Sequence, residues 1–189
     1  MKLQTWIVLL RGVNVGGNNK LPMKDLSALL ESLELSDIKT YIQSGNVVFR
    51  GPKGPASKLA TTIAAAIEDT FDFRPAVIAI SKEDFARAAE ANPFREAEQE
   101  QDRKTLHLFF LGESAGKAGK LDMDAAGLDS VKTPSERWQR IGSVFYLHTP
   151  EGFGNSKLAT KVERYLGVPA TARNWRTVCA LRELADEVE

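Results

Sequence analysis

The start of the chain constrains the fold most, because an apolar strand, a glycine- and asparagine-rich loop and an amphipathic helix follow one another there. The nearly continuous apolar run 5–11 predicts a buried strand. Residues 12–21 form the loop, and Pro22 suits the first turn of a helix whose apolar side chains recur at helical spacing. No Ser, Thr, Asp or Asn stands immediately before Pro22, so the first amides of this helix need the loop, water or a ligand as partners.

The same alternation of elements continues after this helix. Two short strands, 38–43 and 46–50, flank Ser44-Gly45, and a two-residue connection that contains glycine is typical of a hairpin. A helix over 57–71 and a strand over 76–80 follow. The predicted order is therefore βαββαβ, the order of a ferredoxin-like split βαβ unit.

The second half of the chain repeats this order in part, as β-α-β-β-α-α. We predict an α+β fold with a ferredoxin-like subdomain over 1–91, a connecting segment over 92–103, and a second, smaller α+β subdomain over 104–189 that ends in two helices. The predicted elements of the second part are a strand over 105–111, a weak helix over 117–126, a hairpin of strands 137–141 and 144–149, and helices over 156–166 and 174–188.

Composition and charge exclude some classes of protein. The 25 basic and 25 acidic residues balance, so the overall charge favours neither a nucleic acid nor a membrane as partner. Cys179 is the single cysteine, which excludes an internal disulfide framework and suits a reducing compartment. No segment approaches the ~18 apolar residues of a membrane span. We expect a cytoplasmic protein without a membrane partner. Charge is uneven locally, since 137–182 contains eight basic and two acidic residues.

The glycine-rich loop is the first candidate site. Gly12 and Gly17 have the spacing of a P-loop, but Asn18 and Asn19 stand where lysine and a hydroxyl residue are required, so the NTPase interpretation fails. Two interpretations remain: a loop that wraps an anion, or a tight turn whose asparagines cap the helix. The candidate ligand residues here are Arg11, Asn14, Gly16, Gly17 and Lys20.

Two further patches carry polar groups at turns and helix starts. Around the predicted hairpin, Gln43, Ser44 and Asn46 suit a neutral polar ligand or a sugar hydroxyl, although a tight turn alone also explains them. Basic residues at two helix starts favour phosphate or carboxylate. Trp175, between two arginines at the second of these starts, suits either base stacking or the core. These C-terminal candidates are Lys157, Arg173, Asn174, Trp175 and Arg176.

Catalytic and metal-binding arrangements are poorly supported. His107 and His148 each fall in a predicted strand, where a single histidine is more often structural. Two histidines and one cysteine provide no spaced set of metal ligands, so we expect no metal site. The sequence identifies no catalytic residue and no cofactor.

Several segments that span the chain form one recognisable pattern: 10–17 with Lys20 and Met23, then 40–49, Asn92-Pro93-Phe94, Ser156-Lys157 and 170–178. Together they resemble a bacterial family catalogued as "domain of unknown function 1697". The resemblance implies an α+β fold with a ferredoxin-like N-terminal part and implies no reaction, since that family has no assigned activity.

Three functions from different classes follow as hypotheses. The first is a cytoplasmic binding protein whose three patches form one pocket for a small anionic or nucleotide-like ligand. The second is an enzyme that acts on a small phosphorylated or carboxylated substrate, with Lys157, Arg173 or Ser44 near the chemistry. The third is a weak nucleic-acid-binding module in the basic region 137–182. The sequence leaves the oligomeric state open.

Overall fold

The computed structural model describes residues 2–99, 103–112 and 123–188. It contains two four-stranded antiparallel sheets and six α-helices within these residues, which confirms the α+β class. The chain divides into two compact units: unit 1 is Met1–Arg87 with Cys179–Glu189, and unit 2 is Ala88–Val178. None of the described helices is long and apolar enough to cross a membrane.

Unit 1 has the predicted βαββαβ order. Its sheet has the strand order β2-β3-β1-β4, so β1 is a central strand of the sheet and is buried along most of its length. Trp6, Val8 and Leu10 of that strand pack in one core with Leu26 and Ile63 from the two helices. The elements are β1 (Leu3–Arg11), α1 (Met23–Ser32), β2 (Ser36–Tyr41), β3 (Asn46–Pro52), α2 (Ala56–Phe71), β4 (Ala76–Ser81) and α3 (Lys82–Glu90).

Unit 2 repeats the same arrangement. Its sheet order β6-β7-β5-β8 corresponds strand by strand to that of unit 1, so the two halves are related in topology. Phe109, Phe145 and Leu147 form its core with Leu158 and Val162 of the second helix. Its elements are β5 (Leu106–Leu111), α4 (Ala125–Val131), β6 (Arg137–Ile141), β7 (Val144–His148), α5 (Lys157–Leu166) and β8 (Ala170–Asn174). The last helix, α6 (Trp175–Glu187), begins in unit 2 and belongs to unit 1 from Cys179 onward.

The predicted order of the second half is wrong at one point: the sequence predicts a helix directly after α5, but the strand β8 lies between α5 and α6. Residues 170–174 form a short stretch with a single β-branched residue, Thr171, so the sequence indicates a strand only weakly. They pair antiparallel with β5, from Leu111 opposite Ala170 to His107 opposite Asn174. The partner strand supplies the hydrogen bonds, so tertiary pairing makes this segment a strand.

Three other boundaries differ from the prediction. The connection between β2 and β3 has four residues, 42–45, because β2 ends at Tyr41. The predicted helix over 117–126 falls mostly outside the described residues, and the described helix there is α4. The end of the chain, placed by sequence in the second subdomain, belongs to unit 1, where Thr5 Oγ1 donates to Val188 O at 2.6 Å.

Candidate functional site: the first loop and the β2–β3 turn

The glycine-rich loop folds into a small hairpin, which we call the loop hairpin (residues 14–19). The Asn14 amide donates to Asn19 O, and the Asn18 amide donates to Val15 O, each at 3.0 Å. Gly16 and Gly17 form the tip with φ of 59° and 81°, and two successive positive φ angles are typical of a type I′ turn. The glycines therefore serve a tight turn that projects its tip into solvent.

Asparagine side chains hold this hairpin against the rest of unit 1. Asn14 Nδ2 donates to Leu21 O and to Gln43 O, and Asn14 Oδ1 accepts the Leu21 amide, all at 2.8 Å. Asn19 Nδ2 donates to Gly12 O at 2.8 Å. The Asn14 side chain is thus occupied by bonds within the protein and acts as a brace.

The second candidate patch lies against the first. The Leu10 amide donates to Gly45 O at 2.8 Å, and a Cβ added to Gly45 would meet Leu10 and Val13. Asn46 is fully buried, and its Nδ2 donates to Tyr41 O at 3.1 Å and to Ser44 Oγ at 2.8 Å. The structure therefore brings the first two patches together, while Asn46 shapes the turn from inside.

Several residues of the loop and turn stay exposed, and we call them the loop–turn surface. Val15 is 65% exposed and Ile42 is 54% exposed, so the surface combines apolar groups with its charges. Ile42 has φ of 50°, a conformation that is costly for a β-branched residue. The loop–turn surface consists of Arg11, Val15, Gly16, Gly17, Lys20, Ile42 and Gln43.

The third candidate patch lies in unit 2. Lys157 is exposed at the start of α5, and Arg176 is exposed in the first turn of α6. Asn174 Oδ1 accepts the Thr177 amide at 2.9 Å and so caps that helix. Trp175 is only 3% exposed, so its ring belongs to the core and presents no face for a base.

Arg173 is half-buried in β8. Its Nη1 donates to Ala172 O at 2.8 Å, and burial lowers the pKa of the guanidinium to about 10. It remains a cation at neutral pH.

A polar cluster in unit 2 lies outside the three predicted patches. Arg137 Nη2 lies 2.8 Å from His148 Nδ1 and forms an ion pair with Glu96, and the guanidinium carbon lies 4.9 Å from the centre of the Phe94 ring. A guanidinium only donates, so His148 Nδ1 is the acceptor in a hydrogen bond between the two side chains. The pKa of Glu96 is lowered, first by a backbone hydrogen bond and then by the bond from Arg137. The predicted β6–β7 hairpin was the sequence signal that could have revealed this pair, because its register places Arg137 opposite His148.

His107 has a structural setting. Its ring stacks on Phe153 with a centroid distance of 3.8 Å, and burial lowers its pKa to about 4, so it is neutral at neutral pH. Across the described residues, no group of three or more His, Cys, Asp and Glu side chains could hold a metal ion.

The loop–turn surface lies within a segment that matches a known protein family. A family model described as "Protein of unknown function (DUF1697)" matches residues 3–146. The chain belongs to the DUF1697 family. This match confirms the resemblance indicated by the sequence motifs. The C-terminal motif 170–178 lies beyond the DUF1697 match.

A comparison with curated proteins finds no match. Among solved structures, the chain is similar to the conserved bacterial protein SP0830 from Streptococcus pneumoniae, with a TM-score of 0.68 and 23% sequence identity. The similarity covers 97% of this chain and 99% of that chain. At this identity the likeness shows the shared fold with two related halves.

Proposed function

We propose that this DUF1697 protein is a cytoplasmic ligand-binding protein that receives an anionic or nucleotide-like ligand at the loop–turn surface. The observation that carries the proposal is the Asn14 brace, which joins the loop hairpin to the β2–β3 turn through Gln43 O at 2.8 Å. A braced loop loses little conformational entropy when a ligand binds, and such pre-organisation favours affinity. Two exposed cations, Arg11 at the end of β1 and Lys20 directly after the loop hairpin, therefore flank a pre-formed scaffold.

The chemistry of the surface suits an anion with a flat or apolar part. Arg11 and Lys20 provide charge, and arginine matches the geometry of phosphate and carboxylate oxygens. Val15 and Ile42 provide exposed apolar contacts for a base or another ring. Strained backbone concentrates at functional sites, so the positive φ of Ile42 also supports a binding role for this turn.

In unit 2, Lys157, Arg173 and Arg176 are kept as candidate contacts for an anion. The burial of Trp175 weakens the nucleic-acid alternative, because it removes one aromatic ring proposed to stack on a base.

The proposal is tested by thermal unfolding in the presence of AMP, ATP, glucose 6-phosphate and citrate, with adenosine as the uncharged comparison. A ligand at a hundred times its Kd adds about 2.7 kcal/mol to stability, which raises the Tm of a chain of this size by about 5–10 °C. We expect a selective shift with at least one anion and loss of that shift in Arg11→Gln and Lys20→Gln.

The matched control is Lys24→Gln, which removes an exposed lysine in the first turn of α1, outside the loop–turn surface. Its shift should equal that of the wild type. A panel with no shift, or a shift that survives in both loop variants, would refute the proposed site.

A further inference from the structure

Unit 1 contains a second feature that is separate from the loop–turn surface, an open cavity of about 280 Å³. Its walls come from the region after α1 and from the loop and first turns that begin α2. The hydrocarbon part consists of the Trp6 ring with Leu33, Leu35 and Leu59. Trp6 Nε1 donates to Pro52 O at 3.2 Å, and the side chain is only 2% exposed, so the apolar surface open to a ligand comes mainly from half-buried Leu33 and Leu59. We call this space the Trp6 cavity.

The Trp6 cavity has positive charge on its wall and no negative charge. Lys53 and Lys58 line it, and no Asp or Glu is among its lining residues. Among the residues that the structure describes, neither lysine ammonium forms an ion pair or a hydrogen bond with the protein. Two cations beside apolar surface therefore lack a counter-charge from the described part of the chain.

The start of α2 also favours a negative charge in the Trp6 cavity. The helix begins at Ala56 with no side-chain cap on Pro55, and its first turn contains no acidic residue. Lys58 lies in that first turn, where a cation interacts unfavourably with the helix dipole. A bound anion would relieve this unfavourable arrangement.

A neighbouring cavity of about 480 Å³ has both positive and negative charge on its wall. It shares Trp6 and Lys53 with the Trp6 cavity but is also lined by Glu83 and by Asp84, which pairs with Arg87. An anion is therefore favoured on the α1–α2 side of Trp6 and disfavoured on the other side.

We propose that the Trp6 cavity binds a small organic carboxylate with an apolar body, such as a medium-chain fatty acid. The apolar body lies against Leu33 and Leu59, beside the buried Trp6 ring, and the carboxylate pairs with Lys53 and Lys58. The cavity volume is near the lower end of the roughly 300–1,000 Å³ range of small-molecule sites, which suits a chain of several carbons rather than a large cofactor. The Trp6 cavity is independent of the proposed anion site on the loop–turn surface.

The experiment is an NMR titration of the full chain with octanoate, with the Trp6 indole N–H resonance as the local probe. Octanoate should shift this resonance, while 1-octanol, which lacks the charge, and acetate, which lacks the tail, should bind at least tenfold more weakly. The variant Lys53→Gln/Lys58→Gln should lose about tenfold in octanoate affinity, which is about 1.4 kcal/mol, because it removes both cations that pair with the carboxylate.

Two further variants make the result specific. Thr62→Trp, at an exposed position that lines the cavity, should fill the space and abolish binding. Lys104→Gln removes an exposed lysine of unit 2 and should leave the affinity unchanged. Equal binding of 1-octanol and octanoate, an unchanged affinity in the double lysine variant, or a Trp6 resonance that does not respond would each overturn the inference. Arg11→Gln should bind octanoate normally, which separates this outcome from that of the loop–turn proposal.

Discussion

Replacing Gly45 with alanine tests whether the β2–β3 turn is locked against β1 as the structure shows. A Cβ at this position would lie 2.6 Å from Leu10 Cβ and 2.8 Å from Val13 Cγ2. Leu10 Cβ is attached directly to the backbone and cannot swing aside. The Leu10 amide also donates to Gly45 O at 2.8 Å, so relieving the clash means separating two hydrogen-bonded backbones.

Two separate costs lower the free energy of unfolding of Gly45→Ala. Gly45 has φ of 71°, and the left-handed region costs a residue with a Cβ about 1–2 kcal/mol. Overpacking a well-packed site costs about 1–3 kcal/mol more. Gly45→Ala should therefore lower the free energy of unfolding by about 2–5 kcal/mol.

Alanine substitutions at two other glycines measure the backbone cost and the packing cost separately. Gly16 has φ of 59° with nothing within 4 Å of its added Cβ, so Gly16→Ala should cost only the backbone term, about 1–2 kcal/mol. At Gly51 the closest atom is Leu35 Cδ2 at 2.9 Å, the end of a flexible side chain, so Gly51→Ala should cost about 1 kcal/mol.

The assay is urea unfolding followed by fluorescence, with hydrogen exchange of the β1 and β3 amides as a readout confined to unit 1. Gly45→Ala should be the most destabilised of the three variants and should lose protection at Leu10. If Gly45→Ala and Gly16→Ala were destabilised equally, the close packing of turn and strand would be refuted.

Two further predictions concern polar side chains. Asn14→Ala should lower the free energy of unfolding by about 2–4 kcal/mol, because it removes three hydrogen bonds and places alanine at φ of 54°. Asn14→Gly should recover about 1 kcal/mol of this loss, because glycine adopts a positive φ without strain. Asn18→Ala, at an exposed position, should change the free energy of unfolding by less than about 0.5 kcal/mol. All three are measured by urea unfolding, and equal losses in Asn14→Ala and Asn18→Ala would contradict the brace. His107, whose pKa burial lowers from 6.5 to about 4, takes up its proton more readily in the unfolded chain. Stability should therefore be fully present above pH 6.5 and fall by up to about 3 kcal/mol as pH decreases to about 4. His107→Gln should flatten that part of the stability profile, and a His107 NMR resonance that titrates near pH 6.5 would refute the assignment.

Local pattern determined much of unit 1 and most element types of unit 2. Strand β1, helix α2 and the β6–β7 hairpin follow from apolar periodicity and turn residues, which act between near neighbours. The same holds for helix ends: Ser156 caps α5 by accepting the Ala159 amide at 2.9 Å, and Gly167 ends it in the left-handed conformation.

The candidate site was only partly predictable. The sequence placed polar groups at the loop and the turn but could not show which of them the protein itself uses. Asn14 bonds to Gln43, 29 residues away, and Asn46 is fully buried, so both serve the structure. The Trp6 cavity likewise depends on residues from separate elements and had no local signal.

The sequence by itself therefore determined the α+β class, the βαββαβ order of the first half and the family, because these depend on periodicity, turn residues and motifs read along the chain. Only the tertiary structure decided that 170–174 is a strand, that the end of the chain packs in unit 1, and which loop cations and apolar groups stay exposed. The physical reason is the same in each case: the hydrogen-bond and packing partners come from residues far away in the sequence, and folding alone brings them into contact.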